Sequence, residues 1–147
     1  KRGLYAEAVA LYEDAMSGPL GDGDPALLKG MARARLLSGD PVAAERYFLK
    51  LKELDPKAFD TDSELDYARA LEEQGRDWEA AEQYERVAPR YSGEEARVRF
   101  ALLLQKMGKT ERAQALFREA IEAAQDAPSH YRSRQTEWVK IARQNLK

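Results

Sequence analysis

Apolar residues recur along this chain at helical spacing, and the recurrence itself repeats. Four segments place a glycine, an alanine five residues on, an aromatic four beyond it and a small or aliphatic residue three beyond that. The glycines are Gly3, Gly39, Gly75 and Gly108, and the alanines are Ala8, Ala44, Ala80 and Ala113. The aromatics are Tyr12, Phe48, Tyr84 and Phe117, followed by Ala15, Leu51, Val87 and Ala120. All four columns step by 36, 36 and 33 residues. The last three members of each segment fall at i, i+4 and i+7, one stripe of an α-helix.

A second set of columns lies upstream of three of the glycines and keeps the same step. It comprises Met31, Tyr67 and Phe100, each followed by an alanine at 32, 68 and 101. Each unit therefore holds two helices joined near its glycine, where a left-handed residue closes the last turn of the first helix. The alanine lets two helices approach closely, and the aromatic fills the space between neighbouring hairpins. Asp24 and Asp40 each precede a proline, the pattern of an N-cap before a first-turn proline. Thr61 with Glu64, and Ser92 with Glu95, read as capping boxes, and Thr110 as a further cap. Turn chemistry in "SGPLGDGD", "DPKAFDTD", "YSG" and "QDAPS" separates the units. The pattern predicts helices over 4–17, 25–38, 41–54, 62–74, 77–89, 93–107, 110–125 and 129–146, and no strand.

Composition narrows the function classes. The 147 residues suffice for about one domain, and no run of eighteen apolar residues is present to span a membrane. Cysteine is absent, which removes disulfides, thiolate nucleophiles and Cys-ligated metals. A net charge of −2 and a pI near 5.6 argue against general nucleic-acid binding. The charge is uneven, since Pro128–Lys147 carries five basic residues against one acid. That segment reads as a solvated helix face, with anionic lipid or another subunit as the alternative partner.

Candidate chemistry is sparse. "GDGD" at 21–24 lacks the acid spacing and terminal Glu of a calcium loop and reads as a turn. His130 is the only histidine and is expected on the surface at a helix start. The pairs Glu72-Glu73 and Glu94-Glu95 diverge by about 100° on a helix, so neither forms a dyad by itself. No phosphate loop, nucleophile elbow or zinc spacing occurs. The expectation is a non-enzyme without cofactor or metal. Trp78 and Trp138 are expected to pack between hairpins.

These columns resemble the tetratricopeptide repeat family. The resemblance covers roughly residues 3–124, and its second-helix signature is met most fully by Gly39, Ala44, Phe48, Leu51 and Pro56. There are departures: two periods are 36 residues, the first-helix tryptophan position holds Leu28, Glu64 and Arg97, and the closing proline is lost after the third and fourth units. The resemblance implies an all-α fold, a right-handed superhelical stack of antiparallel helical hairpins. It would form one domain over 1–147, with a partial first repeat at 1–20, repeats at 24–57, 60–92 and 93–126, and a capping helix at 128–147. The chain enters an amphipathic segment directly at Lys1, which reads as a piece of a longer polypeptide.

Such stacks bind ligands on their concave side, lined in this family mainly by first helices. Residues two before and two after Met31, Tyr67 and Phe100 point about 160–200° away from that core column. The face so defined is Lys29, Arg33 and Leu36, then Leu65, Arg69 and Glu72, then Val98 and Leu102, flanked by Asp66 and Arg99. Gln105 lies on it as well. Lys29, Arg33 and Arg69 could hold an acidic peptide or a C-terminal carboxylate, since guanidinium groups suit bidentate pairing. Pairing with Asp62, Asp66 or Glu72 is the competing reading. Carboxylate clamps in the family also use asparagines, and the only one here is Asn145. The expected function is a protein-interaction scaffold that binds a peptide or protein segment in this groove. The alternatives are a structural module that self-assembles through its partial first repeat, and the soluble part of a membrane-anchored bacterial protein. The expected location is cytoplasmic, with any membrane tether outside this chain.

Overall fold

A computed structural model describes residues 2–19 and 21–147, with side chains at all of these except Arg2 and Asp22. Lys1 and Leu20, the outer residues of the expected partial repeat, lie outside the described residues, as does the Asp22 side chain of "GDGD". The helices are α1 (Arg2–Met16), α2 (Pro25–Ser38), α3 (Pro41–Leu54), α4 (Thr61–Glu73), α5 (Asp77–Val87), α6 (Glu95–Lys106), α7 (Thr110–Gln125) and α8 (Ser129–Asn145). A single 3-10 turn at Gly21–Gly23 precedes α2, and no strand occurs among the described residues. None of the described helices is long and apolar enough to cross a membrane.

The expected punctuation explains most boundaries. Asp24 Oδ1 accepts from the Ala26 N–H at 2.9 Å, and Asp40 Oδ1 accepts from the Ala43 N–H at 3.1 Å, each ahead of a first-turn proline. Gly39, Gly75 and Gly108 adopt φ of 93°, 76° and 82°. Behind each, the next backbone N–H reaches five residues back, as Asp40 to Arg35, Arg76 to Leu71 and Lys109 to Leu104. That is one helix-closing motif used three times. Gly3, expected to behave alike, sits inside α1 and has no positive φ.

Three expected caps are corrected. The cap of α4 is Asp60, whose Oδ1 accepts from the Ser63 N–H at 3.0 Å, and Thr61 is the first helical residue. In "DTD" three capping residues compete, and the aspartate one step earlier wins. The cap positions of α6 and α7 are Glu94 and Lys109, neither with a side-chain cap bond, so Ser92 lies outside α6 and Thr110 is the first helical residue of α7.

The chain divides into two compact units, Lys1–Ala80 and Ala81–Lys147, the divide falling within α5. In the first, α2 packs against α1, α3 and α4, and α3 packs against α4. Leu28, Ala32, Leu36, Ala44, Phe48 and Leu51 form its main core with Phe59. Phe59 meets Phe48 and Tyr67 edge to face at 6.4 and 6.0 Å. A smaller cluster of Val9, Met31 and Ala34, with Tyr12 and Met16 against it, attaches α1. There the Tyr12 ring occupies the space a Cβ on Gly30 would need.

In the second unit, α7 packs against α6 and α8, and α8 also packs against α6. Tyr84 stacks on Phe100 with centroids 6.2 Å apart. Ala113, Phe117 and Ala120 are wholly buried, as their columns require.

Candidate binding face

Seven of the expected groove residues lie in the first unit, on α2 and α4. The structure brings three of them, Arg33, Asp66 and Arg69, together. Lys29 Nζ lies 2.5 Å from Asp60 Oδ2, and Arg33 Nη1 lies 2.5 Å from Asp66 Oδ2. Arg69 Nη1 reaches Asp66 Oδ1 at 3.3 Å. One carboxylate therefore ties α2 to α4 while holding two guanidinium groups.

The Asp66 side chain is only 5% exposed, whereas that of Arg33 is 54% exposed. Arg33 is therefore the more exposed partner of a pair whose acid is buried. Burial would raise the Asp60 carboxyl, but the Lys29 ammonium and the Ser63 N–H outweigh it and hold the group below its ordinary value. Glu72 is half-buried on the same helix.

Three expected groove residues are packing residues instead. Leu36 and Leu65 are each 2% exposed, and Val98 is fully buried, so none offers surface to a ligand. The angular reasoning treated each first helix as buried on one side only. A helix packed between neighbours is apolar around most of its circumference.

In the second unit, Leu102 is half-buried and the Arg99 guanidinium lies 4.8 Å from the centre of the Trp138 ring on α8. Arg99 Nε also donates to Glu95 Oε2 at 2.8 Å. Trp138 of α8 thus meets this cation with its ring face, while Glu95 of α6 holds it through a carboxylate. Gln105 Nε2 donates to Asn145 Oδ1 at 3.2 Å. Trp138 packs as expected, whereas Trp78 is 69% exposed. His130 is exposed at the start of α8.

Sequence reasoning missed two polar centres, the first around Glu94. The phenol of Tyr131 donates to Glu94 Oε2, Arg97 Nη1 donates to Glu94 Oε1 at 2.6 Å, and the Glu94 N–H donates to Gln135 Oε1 at 2.7 Å. Glu94 is 3% exposed. Tyr131 and Gln135 stand one helical turn apart on α8 and grip the start of α6 from both sides of Glu94. Burial, with the Glu94 carboxylate, pushes the Tyr131 phenol up to about 12. The "EE" pair marked an acid here, but two of its partners, Tyr131 and Gln135, lie some forty residues on.

A second missed cluster sits where α4 turns into α5. Arg76 forms paired hydrogen bonds to Glu79 at 3.0 and 2.6 Å and reaches Glu45 of α3 at 2.7 Å. Gln74 joins it, donating to Glu45 Oε1 and to the Pro41 carbonyl. This network fastens a corner.

No protein-family model matches this chain, and no curated protein sequence matches it. Residues and geometry therefore carry the functional reading.

Proposed function

We propose that this protein is a non-catalytic interaction module of the tetratricopeptide type, which captures an extended polypeptide segment on the face formed by α2 and α4. Within each compact unit a first helix packs both on its own partner and on the next first helix, as α2 does on α3 and α4, and α6 on α7 and α8. That arrangement, repeated with glycine-closed helices at a common sequence step, supports stacked helical hairpins within each unit, whose right-handed sense is what the family resemblance implies.

The observation that carries the binding face is the Arg33–Asp66–Arg69 bridge, in which the Arg33 side chain is 54% exposed. Asp66 holds the guanidinium in place before a ligand arrives, which lowers the ordering cost of binding. A ligand carboxylate would meet Arg33 and Lys29, while Arg69 stays with Asp66 as a positioning residue. Asp60 and Asp66 would repel a strongly acidic segment, so the fitting ligand carries a single carboxylate beside apolar or neutral residues.

Fluorescence titration with peptides ending in a free carboxylate, against the same peptides amidated, tests the reading. The free acids should bind, and Lys29→Gln with Arg33→Gln should weaken them while circular dichroism stays unchanged. Equal binding by free and amidated peptides, or by the double variant, would show the face to be misassigned. Arg69→Glu would set a second acid against buried Asp66 and destabilise the unit itself.

A further inference from the structure

Two surfaces in different parts of the chain have complementary chemistry. The first is the outer stripe of α1. Leu4 and Leu11 are 70% and 72% exposed, and Ala15 is exposed too. The Ala15 counterparts Leu51, Val87 and Ala120 are all 0% exposed, so a position covered in every later unit is open here. Glu7 and Asp14 border this stripe at helical spacing and are exposed. Glu13, on the same helix, is already engaged by Arg35.

The second is a groove of about 430 Å³ between α7 and α8. Its floor includes Ile121, Ala124 and Val139, and its rim carries Arg132, Lys140 and Arg143. The three rim cations are exposed. No carboxylate lies within ion-pair distance of them among the described residues. The groove has the shape and chemistry of a seat for one helix with leucines inward and acids at its edge.

We propose that α1 of one copy occupies the α7–α8 groove of a second copy, joining the chains head to tail. Leu4 and Leu11, about 10 Å apart along the helix, would cover the apolar floor. Glu7 and Asp14 are separated by a similar distance, and Arg132 and Lys140 by about 12 Å, so both acids can meet a cation together. The match is between different surfaces, so the contact is heterologous and each added copy exposes a fresh groove. It uses neither Lys29 nor Arg33 and stands apart from the peptide-binding reading.

Sedimentation at rising protein concentration is the test. The mean mass should pass that of two copies and fall with added salt, because the rim pairs are solvent-exposed. Glu7→Lys with Asp14→Lys, and separately Arg132→Glu with Lys140→Glu, should each weaken association by about tenfold or more. An equimolar mixture of the two variants should restore it, since each then meets an opposite charge. Should a reversal variant lose its circular dichroism, Leu4→Ser with Leu11→Ser replaces it, and the same loss is required. A single-copy mass up to roughly millimolar concentration overturns the proposal. So does saturation at two copies, association unchanged by the variants, or failure of the mixture to recover.

Discussion

Arg33 of α2 donates to Asp66 of α4 at 2.5 Å, and the acid is the buried partner. Asp66 also accepts from Arg69, whose side chain is 17% exposed. Removing the acid leaves a largely buried guanidinium without its counter-charge, which costs more than the pair itself contributes. Asp66→Ala should lower stability by about 3 kcal/mol. Arg33→Ala, at the solvent end, should cost about 1 kcal/mol or less. Urea unfolding of both variants measures the difference.

Asp60 gives a pH-dependent counterpart. Its folded pKa lies below the unfolded value, so its contribution is complete above the unfolded pKa of 3.8 and is lost as pH falls through the folded value. The acid side of the stability profile should therefore steepen below about pH 4. Asp60→Ala should cost about 1 kcal/mol near neutrality, the usual worth of an N-cap, and flatten that slope. Thermal unfolding across pH checks both.

The Tyr131 phenol moves in the opposite sense. Its folded pKa is about 12 against an ordinary 10.0, so its contribution is intact below pH 10.0 and disappears as pH rises toward 12. Absorbance titration should place Tyr131 among the late-ionising tyrosines, together with Tyr67, whose phenol burial also raises. Tyr131→Phe should remove one ionisation from that late step and cost about 2 kcal/mol, the range for hydrogen bonds to charged groups.

Phe48 and Tyr12 occupy equivalent positions in the repeated column, yet Phe48 is 1% exposed and Tyr12 is half-buried. Phe48→Ala should cost about 3–5 kcal/mol through the cavity it leaves. Tyr12→Ala should cost less than half as much, because the surroundings of α1 are already open on one side. Chemical denaturation of the two variants ranks them. Equal losses would show that the column has one environment throughout.

Where the sequence was legible follows from range. Helix limits were set by neighbours a few residues apart, and α2 and α3 run over the predicted 25–38 and 41–54. The glycine closures at 39, 75 and 108 are equally local, since αL geometry selects the residue directly. The start of α6 was not legible, because its orphan N–H is satisfied by Gln135 from α8. Trp78 departed from expectation because residue type alone does not fix burial, and its side chain is 69% exposed. For the proposed binding face, residue identity pointed to Lys29, Arg33 and Arg69, but which side of α4 is covered depends on the helices packed against it. Leu65 therefore looked like lining and proved to be core.

Gly30 lets the Tyr12 ring come closer to α2 than any side chain would allow. The residues one turn away on α2, Ala26, Leu27, Arg33 and Ala34, all carry a Cβ. The missing methyl therefore works as a detent: α1 drops into place at one axial setting and cannot slide a turn in either direction without collision. The outward leucines of α1 inherit that setting, so a hydrogen atom at position 30 fixes the height at which they are displayed.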